Sequence, residues 1–221
     1  MYQTLEEINE LVKKCTKCDL CKNRKNTVFG DGNPNAKVMF IGEGPGGDED
    51  IQGIPFVGKA GQLMNEAFIG LGIDRSKVYI ANIVKCRPPG NRTPLKSEAD
   101  SCLDYLRNQV ILIKPEIIVL MGNTALKNIL GDEYVITSSR GKWIEKKGIK
   151  YMPTFHPAAL LRDETKKIDF WNDLKLVIKE CNGQFWKIIK IYSKILVNSF
   201  IYWYTIKENF FNIKEEFYVW R

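Results

Sequence analysis

The sequence predicts an α/β protein built on a central, mostly parallel sheet of four strands. Two observations carry this prediction. Four short apolar runs, KVMFIG (37–42), KVYIANIV (77–84), EIIVLMG (116–122) and KYMPTF (150–155), are rich in Val, Ile, Met and aromatic residues, as core strands are. Between them, apolar residues recur at helical rather than alternate spacing. Strands alternating with helices imply a sheet covered on both faces.

Taken in order, the chain opens with an amphipathic pattern in which Leu5, Ile8, Leu11 and Val12 share one helical face. It ends at the cluster CTKCDLC. KAGQLMNEAFIGL (59–71) follows the first strand as a helix. The next helix runs from about 95 to 113, where Thr93 is a candidate cap and Pro94 suits a first turn. NTALKNIL (123–130) and residues 166–180 complete the helices. Four loops, 42–58, 85–93, 122–124 and 155–162, each follow a strand. In parallel sheets, ligands sit at the carboxyl ends of strands, so one site can draw on all four.

Composition is that of a globular protein, with a formal net charge of +7 that favours an anionic partner such as nucleic acid. The six cysteines, with no basic start and apolar core like a signal peptide, point to reduced thiols and a cytoplasmic protein. Residues 182–221 differ: they hold 12 of the 25 aromatic residues and twice as many basic as acidic ones. This atypical extension follows a domain spanning 1–181. Lysines interrupt its apolar pattern, which argues against a membrane span. A helix packed on the body or on a partner, an interfacial membrane segment and a misjoined reading frame all fit it.

The glycine-rich loop GEGPGGDEDIQGIPFVG (42–58) resembles a phosphate cradle in its position after a strand. It nevertheless carries Glu43, Asp48, Glu49 and Asp50 and no basic residue before Lys59, so a pyrophosphate would be repelled. No nucleotide cofactor is expected. Asp48 and Asp50 read as solvated loop charges. Cys15 and Cys18 form a C-x-x-C pair that Cys86 and Cys102 can complete to a four-thiolate metal shell, for zinc or for an iron–sulfur cluster. Cys21 extends the first pair to C-x-x-C-x-x-C and offers a rival set. Cys181 closes the last body helix and reads as structural. His156, the only histidine, ends a strand and opens HPAALLR. There it can donate to charge on a leaving group, and Leu161 beside Arg162 pairs an apolar wedge with a phosphate-seeking cation.

Together these elements give a resemblance. CTKC with Cys86 and Cys102, GEGPGGDED with GIPFVG, ANIVKCRPPGNRTP and TFHPAALLR come in the order and spacing of the family 4, iron–sulfur uracil-DNA glycosylases. The resemblance spans about residues 1–181 and implies a three-layer α/β/α sandwich that acts in base excision repair. The activity implied is hydrolysis of the N-glycosidic bond of uracil in single- or double-stranded DNA, releasing free uracil and leaving an abasic site. It also implies a structural [4Fe-4S] cluster on Cys15, Cys18, Cys86 and Cys102, and a monomer. Gly42, Glu43, Gly44, Phe56, Asn82 and His156 are the implied uracil-binding residues.

The residue chemistry agrees with these roles. Phe56 offers a stacking face for a flipped base. The Asn82 amide can both donate and accept, matching uracil O4 and N3–H and mismatching cytosine. His156 can stabilise O2 as it becomes anionic. In the better-known superfamily branch an aspartate activates water, and Gly44 occupies that position here. Either a neighbouring carboxylate, Glu43 or Glu49, orients the water, or positioning and leaving-group stabilisation suffice. A tyrosine that excludes thymine in that branch is replaced by Gly46, which makes Glu49 equally a candidate for crowding the 5-methyl group. The alternative from another class is a non-catalytic iron–sulfur or zinc nucleic-acid-binding protein on the same fold.

Overall fold

Parallel strand pairing dominates the computed structural model, which describes residues 2–181. The chain runs α1 (Leu5–Lys13), β1 (Asp31–Gly32), β2 (Val38–Gly42), α2 (Gly47–Gln52), α3 (Lys59–Leu71), β3 (Tyr79–Asn82), α4 (Lys96–Ile113) and β4 (Ile117–Met121). It continues through α5 (Gly122–Leu130), α6 (Ile136–Ser139), β5 (Ile144–Lys146), β6 (Ile149–Thr154), α7 (Pro157–Arg162) and α8 (Lys166–Glu180). Residues expected to form the aromatic-rich extension, 182–221, lie outside the described part.

The sheet has six strands in the order β1-β3-β2-β4-β6-β5, which corrects the expected four. The four expected strands are the parallel ones: β3, β2, β4 and β6 pair in parallel register. The two additional strands, β1 and β5, are short antiparallel edges. Neither has an apolar run: β1 is Asp-Gly and exposed, β5 is Ile-Glu-Lys and mostly exposed. Edge strands need no two-sided burial, so they leave no hydrophobic signature.

Every residue of β2, β3 and β4 is buried. Since successive side chains point to opposite faces, both faces are covered, as a three-layer sandwich requires. Pro153 is accommodated in β6 because β5 pairs only as far as Tyr151, beyond which that edge needs no N–H donor.

Local chemistry sets the helix boundaries. Thr4 caps α1 by accepting from the Glu7 amide, while Ile8 and Val12 are buried and Leu11 is exposed, at the margin of the apolar stripe. The helix expected from about 95 begins at Lys96, and Thr93 does not cap it. Instead the Glu98 carboxylate accepts from the Leu95 amide at 2.7 Å and is held by both terminal nitrogens of Arg92 at 2.7 and 2.8 Å. A charged acceptor three residues inside the helix outcompetes an exposed hydroxyl. Helices α3 and α8 match their expected limits.

Candidate active site

The strand order places a topological switch at β2. From there the chain moves to β3 on one side, then crosses to β4 and β6 on the other. At such a switch the loops beyond the strand ends diverge and leave a crevice. Here the crevice is a cavity of about 340 Å³ lined by Glu43, Gly44, Glu49, Phe56, Asn82 and His156, among others. The backbone pairing of β2 with β3 extends into it: Ile83 and Val84 amides donate to the carbonyls of Gly42 and Glu43. The loops after β2 and β3 are thereby held in one frame, and the loop after β6 closes the crevice with His156 and Ala158.

Asn82 ends β3 and is buried, and His156 follows β6 as the residue before α7. Among the described residues, two buried side-chain atoms lack any hydrogen-bond partner: Asn82 Oδ1 and His156 Nε2. Both belong to side chains lining this cavity. A buried unpaired polar group costs roughly 1–3 kcal/mol, so two in one cavity mark a place prepared for a polar ligand.

The proton on His156 is fixed by its surroundings. Nδ1 accepts from the Ala158 amide at 3.1 Å, so the neutral ring carries its proton on Nε2. Burial, with a smaller contribution from the Arg162 charge, pushes the imidazole pKa down to about 4. The ring is therefore a neutral donor at physiological pH.

Phe56 lies 5.6 Å from the His156 ring, centroid to centroid, and tilted by 35°. Its φ of 54° is uncommon for an aromatic residue and reflects a loop held by force from two sides. Arg75 donates to the Pro55 carbonyl at 2.6 Å and to the Phe56 carbonyl at 3.4 Å. Beneath, a Cβ at Gly61 would lie 2.0 Å from the Phe56 carbonyl carbon. Gly42 is not a contact surface so much as a clearance: a Cβ there would meet Asn82 Oδ1 at 2.5 Å and the Phe56 ring at 2.6 Å.

The loop carboxylates separate into three kinds. Glu49 Oε1 accepts from the Val57 and Gly58 amides at 3.0 and 2.9 Å, bracing the loop end that carries Phe56. Its Oε2 lies where a side chain at Gly46 would go, 2.6 Å from that Cβ position. Glu43 Oε2 accepts from the Thr124 hydroxyl at the start of α5, across the switch from β2 to β4. Asp48 is exposed at the cavity, as a solvated charge. Asp50 corrects the expectation: it is 2% exposed, and Oδ1 accepts from the Lys25 amide at 2.9 Å, pinning the segment after the cysteine cluster. The change arises because 47–52, expected as loop, is helix α2, whose geometry turns Asp50 inward.

The residues that build this crevice fall within a region shared with known proteins. Residues 29–175 match the model of the uracil DNA glycosylase superfamily. Over 180 residues the chain is 45% identical to the type-4 uracil-DNA glycosylase of Thermotoga maritima, covering 80% of this chain and 91% of that one. The type-4 enzyme of Pyrobaculum aerophilum is 42% identical, covering 78% and 92%, and that of Archaeoglobus fulgidus 39%, covering 81% and 94%. The chain belongs to the type-4 uracil-DNA glycosylase family.

On this family member the expected DNA-contacting residues sit beside the crevice. Leu161, 48% exposed, and Arg162, also exposed, occupy the end of α7, whose first residue follows His156 directly. Sequence reasoning missed Thr124, Arg75 and Lys85. Thr124 and Arg75 stand in no motif and act on residues far away in sequence; Lys85 stands inside ANIVKCRPPGNRTP, but its bonds to Gln109 and Cys102 show only in the fold.

A second, much smaller cavity is lined by Cys15, Cys18, Cys21, Cys86 and Cys102 together with Arg24, Lys85 and Tyr105. The four expected ligands are thus gathered from the chain after α1, the loop after β3 and the first half of α4. Cys181 lies elsewhere, against the far end of the core. Among the described residues, no group of three or more His, Cys, Asp or Glu side chains is already converged as a metal site. The chemistry of the donors nevertheless fits a thiolate-bound centre. Arg24 Nη1 donates to Cys86 Sγ at 3.2 Å and the Lys85 amide to Cys102 Sγ at 3.3 Å, as outer partners of metal thiolates do. Burial pushes the Cys102 thiol up to about 11 and raises Cys18 and Cys86 as well, so loading a metal must release protons.

Lys85 joins the two cavities. Fully buried, it donates from Nζ to the Asn82 carbonyl at 3.0 Å and to Gln109 Oε1 at 2.7 Å, while its amide serves Cys102.

Proposed function

We propose that this protein hydrolyses the N-glycosidic bond of uracil in DNA, releasing the base and leaving an abasic site, with Phe56, Asn82 and His156 as the base pocket. The observation that carries this reading is the pair of unpartnered atoms, Asn82 Oδ1 and His156 Nε2, in one crevice. A flipped uracil satisfies both: its N3–H donates to Asn82 Oδ1, and its O2 accepts from His156 Nε2. As the glycosidic bond lengthens, negative charge collects on O2, and a preorganised neutral donor there is stronger toward the anion than toward the ground state. Stacking on Phe56 contributes roughly 1–3 kcal/mol toward holding the base out of the helix. Cytosine offers an acceptor where uracil has N3–H, leaving Asn82 Oδ1 unpaired at a cost of about 1–3 kcal/mol.

Water placement falls to the two carboxylates, each with one oxygen committed and one left over. Glu49 Oε2 occupies the space above Gly46, which supports it as the group that orients water and crowds a 5-methyl substituent. Glu43, fixed by Thr124, faces the same crevice and offsets the electron-poor sugar as the base departs. Gly42 and Gly44 act by clearance. Leu161 and Arg162 form the DNA-facing wedge and cation, supported by their exposure beside His156.

The thiol cavity would hold a [4Fe-4S] cluster on Cys15, Cys18, Cys86 and Cys102. The all-thiol donor set and the two N–H donors on sulfur support this over a mixed-ligand site. When bound, the cluster supplies a cross-link between distant segments, not a redox step. A monomeric, cytoplasmic protein with 1–181 as the catalytic domain completes the proposal. No described helix is long and apolar enough to cross a membrane.

Release of free uracil from a uracil-containing oligonucleotide, followed in single turnover, tests the reading. His156→Ala and Glu49→Ala should each slow excision at least about a hundredfold while changing duplex affinity far less. Wild-type rates in both variants, or tight binding with no uracil released by the native protein, would sink it in favour of a binding protein.

A further inference from the structure

The small cavity holds one thiol more than a four-thiolate centre uses. Cys21 lines it beside the four expected ligands. It sits in the short 3-10 turn Asp19–Lys22, for which Cys18 is the N-cap, and its amide donates to the Cys18 carbonyl at 3.2 Å. Cys15 has the corresponding relation to the end of α1, its amide donating to the Val12 carbonyl at 3.1 Å. Each cysteine is therefore placed by a tight turn and is half-buried against the same space.

The spacing matters because C-x-x-C is what lets two sulfurs on one turn reach a common centre. CTKCDLC contains that spacing twice, as Cys15–Cys18 and as Cys18–Cys21, with Cys18 shared. Moving from one pair to the other keeps Cys18, Cys86 and Cys102 in place and exchanges a single sulfur. Arg24 lines the same cavity as all five thiols, its Nη1 donating to Cys86 Sγ at 3.2 Å and to the Cys15 carbonyl at 2.9 Å. Its Nη2 adds a bond to the Lys13 carbonyl at 2.9 Å.

We propose that Cys21 is a reserve ligand of the metal centre, able to replace Cys15 on the same iron. The inference rests on the iron–sulfur reading given above. The exchange is a ligand substitution with no electron transfer: Cys21 releases its thiol proton to solvent as its sulfur binds iron, and the departing Cys15 thiolate takes up a proton. Such a spare sulfur would keep the centre assembled when Cys15 is alkylated or oxidised.

Iron, sulfide and zinc content, with the absorbance near about 400 nm, read the proposal directly in anaerobically purified full-length protein. Cys15→Ala and Cys15→Ser should each retain about half or more of the wild-type iron, and Cys21→Ala nearly all of it. Cys15→Ala/Cys21→Ala should fall to less than about a tenth. Two results would overturn the proposal: loss of the centre in both single Cys15 variants, whether or not they fold, or a double variant holding as much iron as Cys15→Ala. The wild-type measurement isolates the underlying reading. One zinc without sulfide there would refute the cluster, and the zinc content of the same variants would still decide whether Cys21 substitutes for Cys15.

Discussion

His156 gains its chemistry from two neighbours rather than from its own nature. The Ala158 amide occupies Nδ1, and burial holds the ring neutral with a pKa of about 4. Because the folded value lies below the unfolded one near 6.5, the sign is definite. The ring's contribution to stability is complete above about pH 6.5 and is lost as the pH falls toward about 4, where folding must accommodate a buried cation. As the only histidine in the chain, it gives one set of imidazole resonances. In a nitrogen-15 NMR titration those resonances should stay in the neutral Nε2–H pattern from pH 8 down to about 5. A midpoint near 6.5 in the folded protein would refute the preorganised neutral donor. The sequence made this residue visible as a solitary histidine at a strand end, and Asn82 and Phe56 through the motifs around them. It concealed Asp50 and Lys85, because a carboxylate or ammonium reads as solvated until the fold supplies its partners. For Asp50 these are the amides of Lys25 and Asn26; for Lys85, a carbonyl and an amide oxygen.

At the scale of elements, the apolar runs located the four parallel strands because two-sided burial writes itself into composition. The exposed edges β1 and β5 carried no such mark, and the entry to α4 was decided by an Arg92–Glu98 pairing that spacing does not reveal. The same limit applies to the joint between the loop after β2 and the start of α5. Thr124 donates to Glu43 across 81 positions of sequence, and this bond fixes which carboxylate oxygen is left to the crevice. A hydrogen bond to a charged group is worth about 1.5–3 kcal/mol, so Thr124→Val should lower kcat/KM for uracil excision roughly tenfold or more. Thr124→Ser, which keeps the hydroxyl, should restore most of it. An unaffected Thr124→Val enzyme would mean that the α5 joint does not set the Glu43 orientation.

Across the whole molecule, the thiol cavity and the base crevice are parts of one arrangement. Cys15 and Cys18 follow α1, Cys102 lies in α4, and Cys86 stands four residues beyond Asn82 on the segment leaving β3. Lys85 lies on that segment, bonded at once to the Asn82 carbonyl and to Cys102, while Val28 donates to the Lys85 carbonyl at 2.8 Å and Asp50 holds residues 25 and 26. The parallel core needs none of this: β2, β3 and β4 are buried by hydrophobic packing on both faces. Removal of the proposed metal centre should therefore loosen the molecule unevenly. Hydrogen exchange after chelation should rise most across residues 5–28 and 83–103, while amides of β2 and β4 keep their protection, since local opening follows the contacts that are lost. Excision should fall through the weakened seating of Asn82, as a rise in KM and in the relative rate on mismatched bases, more than through a loss of the His156 contribution. Uniform deprotection of the whole chain would instead make the centre a requirement for the sheet itself. Unchanged exchange at 83–86 would cut the proposed link through Lys85 between the thiol cavity and the base crevice.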